Sequence, residues 1–356
     1  MGLRFGLVGT GLAGPLFAGA FQDRPRGAEL RAVTSRRPDQ AAIFAERYGI
    51  CQWSTDWRAL VTSPEIDAVC IAAPTGMHAA IAIAAAAAGK HVLTEKPMAA
   101  TLDQADAMID ACARAGVTLG VIFMYRFMDS ARKMKTAIAA GLIGRPILGE
   151  CVGKFFRDQS YYDSGDWRGT WEGEGGGSLM TQTSHTLDLM LWMLGEVEHV
   201  TGFYTVTPVH RIETEDLLVG ALRFRSGALG TVVSSSAITP PVDRSLTIHG
   251  ECGTIKLIGD RLAQWDVVGG PDAEALAMLH TTPPERGETA AKAGYVDVEL
   301  HRRQIEDFID AIESGRRPAV DGEEGRRALE VMRALYLAND RRAVVTLPLR
   351  EEARGA

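Results

Sequence analysis

The stretch LVGTGLAGPLF, residues 7–17, carries three glycines with the spacing Gly9-x-Gly11-x-x-Gly14. It follows an apolar run and precedes a helical pattern, which is the strand, turn and helix context of a dinucleotide-binding loop. There the first glycine permits a tight turn, the second lets the backbone approach a pyrophosphate, and the third allows close helix packing. The alternative is that the three glycines only permit a tight turn of the chain and bind no ligand. The other loop positions predicted to contact the dinucleotide are Thr10, Leu12 and Ala13.

A second stretch, AELRAVTSRRPDQ at residues 28–40, bears on which dinucleotide the loop would hold. About 20 residues beyond the glycines, an acidic residue would bind the ribose hydroxyls of NAD, whereas a small hydroxyl residue with arginines suits the 2′-phosphate of NADP. Ser35, Arg36 and Arg37 are of the second kind, which predicts NADP(H) as the preferred cofactor, with NAD(H) possible. The alternative is a solvated helix start, because runs of charge usually face solvent.

Composition limits the classes of partner. A chain of 356 residues with 46% hydrophobic content predicts two domains, and a net charge of −7 offers no basic field for nucleic acid or a membrane surface. The five cysteines are never closer than 19 positions, so they predict no metal pair and no disulfide framework, as in a reducing cytoplasm. The run AAIAIAAAAAG, residues 79–89, is too short to span a bilayer and predicts a buried helix.

The chain changes character near residue 125. From Arg4 to Val121, apolar runs alternate with helical patterns of about 10 to 20 residues, which predicts a doubly wound parallel sheet. Helical patterns near 129–140 and 178–194 follow, and then strand-like runs with short links, which predict a second α+β domain with antiparallel strands. Those runs are DLLVGALRF, ALGTVVSSSA, SLTIHG and GTIKLI. Residues 267–294 predict a surface loop, and helical patterns return at 304–312 and 325–338.

The stretch GKHVLTEKPMA, residues 89–99, places Glu95, Lys96 and Pro97 just past the predicted fifth strand. Ligands bind at this edge of an open α/β sheet. The pKa of a lysine shifts readily when the ammonium is desolvated or near other charge, so Lys96 could exchange a proton with an alcohol or carbonyl. The alternative is a solvated lysine, because the tripeptide alone is uninformative.

The stretch SLMTQTSHTLDLMLWMLG, residues 178–195, predicts a helix with Ser178 as its N-cap and Gly195 beyond its end. A polar stripe runs along this otherwise apolar helix. Its members are Thr181, His185, Asp188 and Trp192. Either His185 is buried and satisfied by Asp188 and a hydroxyl, or it is an imidazole tuned by Asp188 that serves a substrate proton. The histidines form no tight ligand cluster, so no metal site is predicted.

The stretch DWRGTWEGEGGG, residues 166–177, places Trp167, Arg168 and Trp171 before a glycine-rich entry to that helix. Aromatic and arginine side chains beside glycines suit a wall that closes on a ligand. A packed loop with its tryptophans in the core is the equal alternative.

An ordered set of motifs along nearly the whole chain resembles the Gfo/Idh/MocA oxidoreductases. The motifs are the loop at 9–14, APTGMH at 73–78, GKHVLTEKP at 89–97, YRF at 125–127, GLIGRP at 141–146, GGGSLMTQTSHTLDL at 175–189 and HRRQIEDFIDAI at 301–312. The resemblance implies an α/β fold with an N-terminal Rossmann dinucleotide-binding domain, residues 1–124. It also implies a C-terminal α+β domain with an open, mainly antiparallel sheet, residues 125–356, for substrate binding and oligomerisation.

The same resemblance implies site residues. Lys96 matches the family's catalytic lysine, and the family's D-x-x-x-H pair falls on Thr181 and His185, so the histidine matches and the aspartate does not. Trp167-Arg168 looks similar to a pair near the cofactor in related NADP-dependent reductases. The further cofactor contacts implied are Ala73, Pro74, Thr75, His78, Glu95 and Lys96. The substrate contacts implied are Lys96, Tyr125, Arg157, Trp167, Thr181 and His185.

The function expected is an NADP(H)-dependent dehydrogenase or reductase acting on a secondary alcohol or ketone of a sugar, cyclitol or sugar derivative. One alternative is a trans-dihydrodiol or related diol dehydrogenase. Another is a non-catalytic, ligand-sensing regulatory protein on the same fold. A sheet with helices on one side only exposes a broad face, which predicts a homodimer or homotetramer.

Overall fold

The computed structural model describes residues 2–279 and 298–349. The chain forms two compact units, residues 1–124 with 296–329 and residues 125–295 with 330–356. The division predicted from sequence assigns residues 298–329 to the second domain, but this segment packs in the first unit. The reason is apolar burial: Phe308 is buried and its ring centre lies 6.5 Å from that of Phe5.

The first unit is built on a parallel sheet in the order β3-β2-β1-β4-β5-β6, which confirms the predicted doubly wound architecture. Its strands are β1 (Arg4–Val8), β2 (Glu29–Thr34), β3 (Gln52–Ser54), β4 (Ala68–Ile71), β5 (His91–Thr94) and β6 (Leu119–Val121). The central strand β4 is buried at every position, as expected of a strand covered on both faces.

Helices follow the strands of this unit. They are α1 (Gly14–Ala20), α2 (Pro38–Tyr48), α3 (Trp57–Thr62), α4 (His78–Ala87) and α5 (Leu102–Ala115). The alanine-rich run predicted as a buried helix forms most of α4, and α5 begins at the cap Thr101 and ends before Gly116 at φ +67°.

The second unit contains a mixed, mostly antiparallel sheet in the order β13-β12-β11-β7-β10-β9-β8-β14, which confirms the predicted fold class. Its strands are β7 (Pro146–Phe156), β8 (Val197–Thr205), β9 (Leu217–Phe224), β10 (Leu229–Ser235), β11 (Ala237–Gly250), β12 (Thr254–Ile258), β13 (Arg261–Asp266) and β14 (Val345–Thr346). Of the four strand-like runs, β9 pairs with β10 and β11 pairs with β12, both antiparallel as predicted. Strand β7 lies between β10 and β11, and its pair with β10 is parallel. The sequence analysis did not identify β7, β8, β13 or β14.

The later helices complete both units. They are α6 (Asp129–Ala139), α7 (Gln159–Asp163), α8 (Trp171–Glu174), α9 (Ser184–Leu194), α10 (Ala273–Met278), α11 (Val298–Ser314) and α12 (Gly322–Arg341). Helix α10 lies within the predicted surface loop 267–294, and residues 280–294 of that loop lie outside the described residues.

One face of the second sheet is covered by α9 and the turn before it. A β-carbon added to Gly149 would lie 2.6 Å from a methyl carbon of Leu194, so glycine is needed for this close approach. The opposite face presents apolar side chains to solvent. Phe203 is 76% exposed and pairs across β8 and β9 with Val219, which is 50% exposed.

Candidate active site

The glycine-rich loop of the first unit has the geometry that phosphate binding needs. Gly9 has φ +110°, and a β-carbon there would collide with the backbone of Ala72. A β-carbon on Gly14 would lie 2.8 Å from the carbonyl oxygen of Gly9, whereas one on Gly11 would meet nothing within 4 Å. The loop is therefore closed at its first and third glycines and open at the second, which fits a pyrophosphate at the start of α1.

Ser35 and the two arginines follow β2 beside this loop. The Thr10 hydroxyl donates a hydrogen bond to Ser35 Oγ at 2.9 Å, so the serine is tied to the glycine-rich turn. Arg37 Nη2 donates to Asp39 at 3.0 Å on the surface, and this bond lowers the pKa of Asp39. The exposed Arg36 guanidinium has no side-chain partner among the described residues. Arg36 is thus the arginine available to an anion.

Lys96 lies two residues beyond β5 and is partly buried, and the peptide bond between Lys96 and Pro97 is cis. The carboxylate of Glu95 accepts a hydrogen bond from the Lys96 backbone N–H at 3.2 Å and contacts His301 Nε2 at 3.3 Å. Burial raises the pKa of Glu95, but the hydrogen bond and charge of His301 and the charge of Lys96 outweigh it, so the pKa lies below its ordinary value. Glu95 therefore supports the lysine segment from inside the first unit.

His78 connects the loops that follow β4 and β5. Its ring nitrogens lie 2.8 Å from the carbonyl oxygen of Ala73 and 3.1 Å from that of Pro97. Burial lowers the pKa of His78, and these carbonyl contacts offset the effect only in part. The contacts of His78 with two backbone carbonyls tie these loops together, and its predicted contact with the cofactor stays a prediction. Thr75, also buried, and Pro74 lie in the connection that His78 braces.

In the second unit the helix predicted at 178–194 begins as a π-helical segment, Leu179–Thr183, and continues as α9. π-Helical turns occur often at functional sites. Ser178 was predicted as the N-cap, but its backbone is helical and its side chain makes no capping bond. The buried carboxylate of Glu215 instead accepts hydrogen bonds from the N–H groups of Gly177 at 2.6 Å and Leu179 at 2.8 Å.

Tyr336 also donates to Glu215, at 3.1 Å, but burial dominates and raises the pKa of this carboxyl to about 7. The native state therefore retains the proton between about pH 4.5 and 7, where the unfolded chain loses it, and the free energy of unfolding falls as pH rises through this range. Glu215→Gln cannot titrate. We expect the melting temperature of the wild type minus that of Glu215→Gln to be larger near pH 5 than near pH 8. A difference independent of pH would contradict this expectation.

His185 is buried on α9, and its ring centre lies 4.5 Å from that of Tyr125. Asp188 receives two hydrogen bonds from Arg126, at 2.8 and 2.6 Å, and both side chains are buried. The sequence analysis did not identify Arg126 as this partner. The carboxylate therefore neutralises a buried guanidinium, and the orienting effect of Asp188 on His185 stays a prediction.

The other polar positions of this segment have internal partners. The Thr181 hydroxyl donates to the carbonyl oxygen of Gly177, just before the helical segment, at 2.8 Å. Lys135 Nζ donates to the Trp192 carbonyl oxygen at 2.7 Å, so the end of the predicted polar stripe is tied to α6. The Thr181 side chain thus offers a hydroxyl and no carboxylate.

Arg157, Trp167 and Arg168 lie in the second unit near Tyr161. The guanidinium carbon of Arg168 is 4.3 Å from the ring centres of both Tyr161 and Trp167, so it is stacked between them. Arg157 donates to the side-chain oxygen of Gln182 at 2.9 Å. This arrangement is a packed wall of aromatic and cationic side chains. The predicted contacts of Trp167 and Arg168 with cofactor, and of Arg157 with substrate, stay predictions.

Within residues 2–279 and 298–349, no group of three or more His, Cys, Asp and Glu side chains could hold a metal ion. No helix in this part of the chain is long and apolar enough to cross a membrane. The five cysteines are unpaired there.

A glycine-rich loop opening α1 of a doubly wound sheet, with a lysine beyond the end of β5, is typical of a dinucleotide-dependent enzyme. The model of the oxidoreductase family with an NAD-binding Rossmann fold matches residues 3–123, and the GFO/IDH/MocA C-terminal domain matches residues 131–256. The chain belongs to the Gfo/Idh/MocA family.

Three similar proteins illustrate this membership. Myo-inositol 2-dehydrogenase of Thermotoga maritima is 29% identical over 92% of this chain and 93% of that protein. 1,5-Anhydro-D-fructose reductase of Ensifer adhaerens is 30% identical over 90% and 92%, respectively. The crystal structure of the WlbA dehydrogenase from Bordetella pertussis, in complex with NADH and UDP-GlcNAcA, is 31% identical over 98% of both chains, with a TM-score of 0.86.

Proposed function

We propose that the protein is an NADP(H)-dependent oxidoreductase that interconverts a secondary alcohol and a ketone on a sugar, cyclitol or sugar derivative. The observation that carries this proposal is that two features occur in the same unit. One is an open glycine-rich loop with Ser35 and an available Arg36 beside it, and the other is Lys96 beyond the end of β5. The similar proteins named for inositol and anhydrofructose support the substrate class. The NADH in the WlbA structure keeps NAD(H) as the alternative cofactor.

A bound nicotinamide would supply the hydride acceptor or donor. The residues proposed to hold it are those of the glycine-rich loop and Ser35-Arg36. Lys96 takes the hydroxyl proton as the alcohol becomes a ketone, and it returns that proton in the reverse direction. His185 is the second residue proposed to serve the substrate proton. Thr181 cannot act as a carboxylate base, so the proton transfer rests on Lys96 and His185.

A turnover assay tests this function. The purified protein is offered sugars, cyclitols and cyclic diols with NADP⁺ and with NAD⁺, and the change in nicotinamide absorbance is followed. We expect turnover of at least one sugar or cyclitol. Turnover of diols alone would indicate a diol dehydrogenase. Tight cofactor binding without any turnover would indicate a ligand-sensing protein.

The exposed apolar face of the second sheet supports a homodimer or homotetramer. Phe203 and Val219 are neighbours on this face, and contiguous apolar surface of this kind is commonly covered by a partner subunit. We expect Phe203→Glu to reduce the mass measured by light scattering at micromolar concentration. Ile43→Glu is the matched control, because Ile43 is 64% exposed on α2 of the other unit. A monomeric wild type would contradict the proposal.

A further inference from the structure

Arg244 on β11 holds a positive charge in an unusual environment. Its guanidinium carbon lies 4.0 Å from the ring centre of Tyr125, which in turn packs on His185 at 4.5 Å between ring centres. The side chain is partly buried, and among the described residues its guanidinium has neither a hydrogen-bond partner nor an ion-pair partner. Within the described part of the chain, the guanidinium interacts with the aromatic face of Tyr125.

Stacking leaves the binding capacity of this group intact. An arginine that stacks on an aromatic ring contacts it with the face of its guanidinium. Its N–H donors lie in the guanidinium plane and can hydrogen-bond to a carboxylate or phosphate. The neighbouring Arg126, by contrast, forms a buried ion pair with Asp188. A partly buried cation without an anion costs desolvation energy, which an anionic ligand would recover.

A second arginine approaches the same helical segment. Arg157 donates to the side chain of Gln182, three positions before His185, and to the carbonyl oxygen of Phe156 at 2.9 Å. Neither partner is an anion. Two arginines without a carboxylate partner thus contact the segment Gln182–His185, Arg157 directly and Arg244 through Tyr125.

We infer that the substrate carries an anionic group, a carboxylate or a phosphate, that Arg244 binds with Arg157 as a second donor. This inference rests on the proposed function and narrows its substrate class to acidic sugars or sugar phosphates. Tyr125 forms the base on which the guanidinium is oriented. His185 packs on the same ring, so the anionic group and the proposed proton-transfer histidine share one aromatic support.

The test compares matched substrates on the wild type and on Arg244→Gln. The probes are D-glucose, D-glucuronate and D-glucose 6-phosphate, each with NADP⁺, and kcat/KM is measured for each. We expect the wild type to prefer one charged sugar, and Arg244→Gln to lower the ratio of charged to neutral kcat/KM by about ten- to a hundredfold. The preferred probe distinguishes a carboxylate from a phosphate. An unchanged ratio would overturn the inference.

Two further variants keep the test decisive. Arg244→Lys retains the charge but not the planar donor set, so the ratio should fall by less than in Arg244→Gln. Arg225→Gln, in the exposed turn between β9 and β10, is the matched control and should leave the ratio unchanged.

If no probe is turned over, calorimetric binding of D-glucuronate and D-glucose 6-phosphate to the wild type and Arg244→Gln separates the two proposals. If the wild type binds either ligand and Arg244→Gln does not, the anion site is supported although the proposed function fails. If both proteins bind the two ligands equally, or neither protein binds them, the inference of an anion site is overturned.

Discussion

Replacement of Lys96 by alanine is expected to lower kcat by at least about 10²-fold, the low end for the loss of an acid–base group. Lys96 is partly buried beyond β5, and its backbone N–H is held by the buried carboxylate of Glu95, so the segment has a defined position. Cofactor binding should survive because the glycine-rich loop is unaltered. The measurement is steady-state turnover together with a fluorescence titration of NADPH.

Two variants show whether the loss comes from proton transfer. Lys96→Arg keeps a positive charge but cannot release its proton near neutral pH, so it should be nearly as slow as alanine. Lys90→Ala, which removes a lysine just before β5, should keep the wild-type rate. If correctly folded Lys96→Ala turned over its best substrate near the wild-type rate, another residue would be the proton donor.

The architecture of the first unit is predictable because its determinants are local. Strand β1, Arg4–Val8, is a short apolar run, and the glycines after it have the spacing that a turn and a close helix impose. Strand β7 shows the opposite case. Gly149 and Gly153 stand on its inner face where Leu194 and Thr183 approach, so close packing replaces the large apolar residues that would have indicated a strand.

The candidate site was predictable only in part, because its supporting contacts join distant parts of the chain. Lys96 and His185 stand out through their positions after a strand and on an apolar helix. The ion pair of Arg126 with Asp188 spans 62 positions, and the contact of His301 with Glu95 spans 206. The spacing of residues within a short motif cannot predict pairs that are so far apart in the sequence. The stretch HRRQIEDFIDAI is recognisable in the sequence, but the contact of His301 with Glu95 requires α11 to pack in the first unit.

The cofactor preference is expected to favour NADP(H) over NAD(H) by about 10- to 10³-fold in kcat/KM. Hydrogen bonds to charged groups contribute roughly 1.5–3 kcal/mol each, and about 1.4 kcal/mol corresponds to a factor of ten. Ser35, tied to Thr10, can donate to a 2′-phosphate, and Arg36 can pair with it. An aspartate at position 35 would instead bind the ribose hydroxyls of NAD and repel the phosphate.

The test is the ratio of kcat/KM for NADP⁺ and NAD⁺ in the wild type and in the double variant Ser35→Asp, Arg36→Ala, which should reverse the preference. Arg37→Ala is the informative comparison, because Arg37 is paired with Asp39 and should change the ratio much less than Arg36→Ala. Added salt should reduce the preference, since the charge of Arg36 is exposed and therefore screened. Two results would contradict the prediction: the wild type uses both cofactors equally, or the double variant leaves the ratio unchanged. Either result would mean that Arg36 and Arg37 are a solvated helix start and that these residues do not recognise the 2′-phosphate.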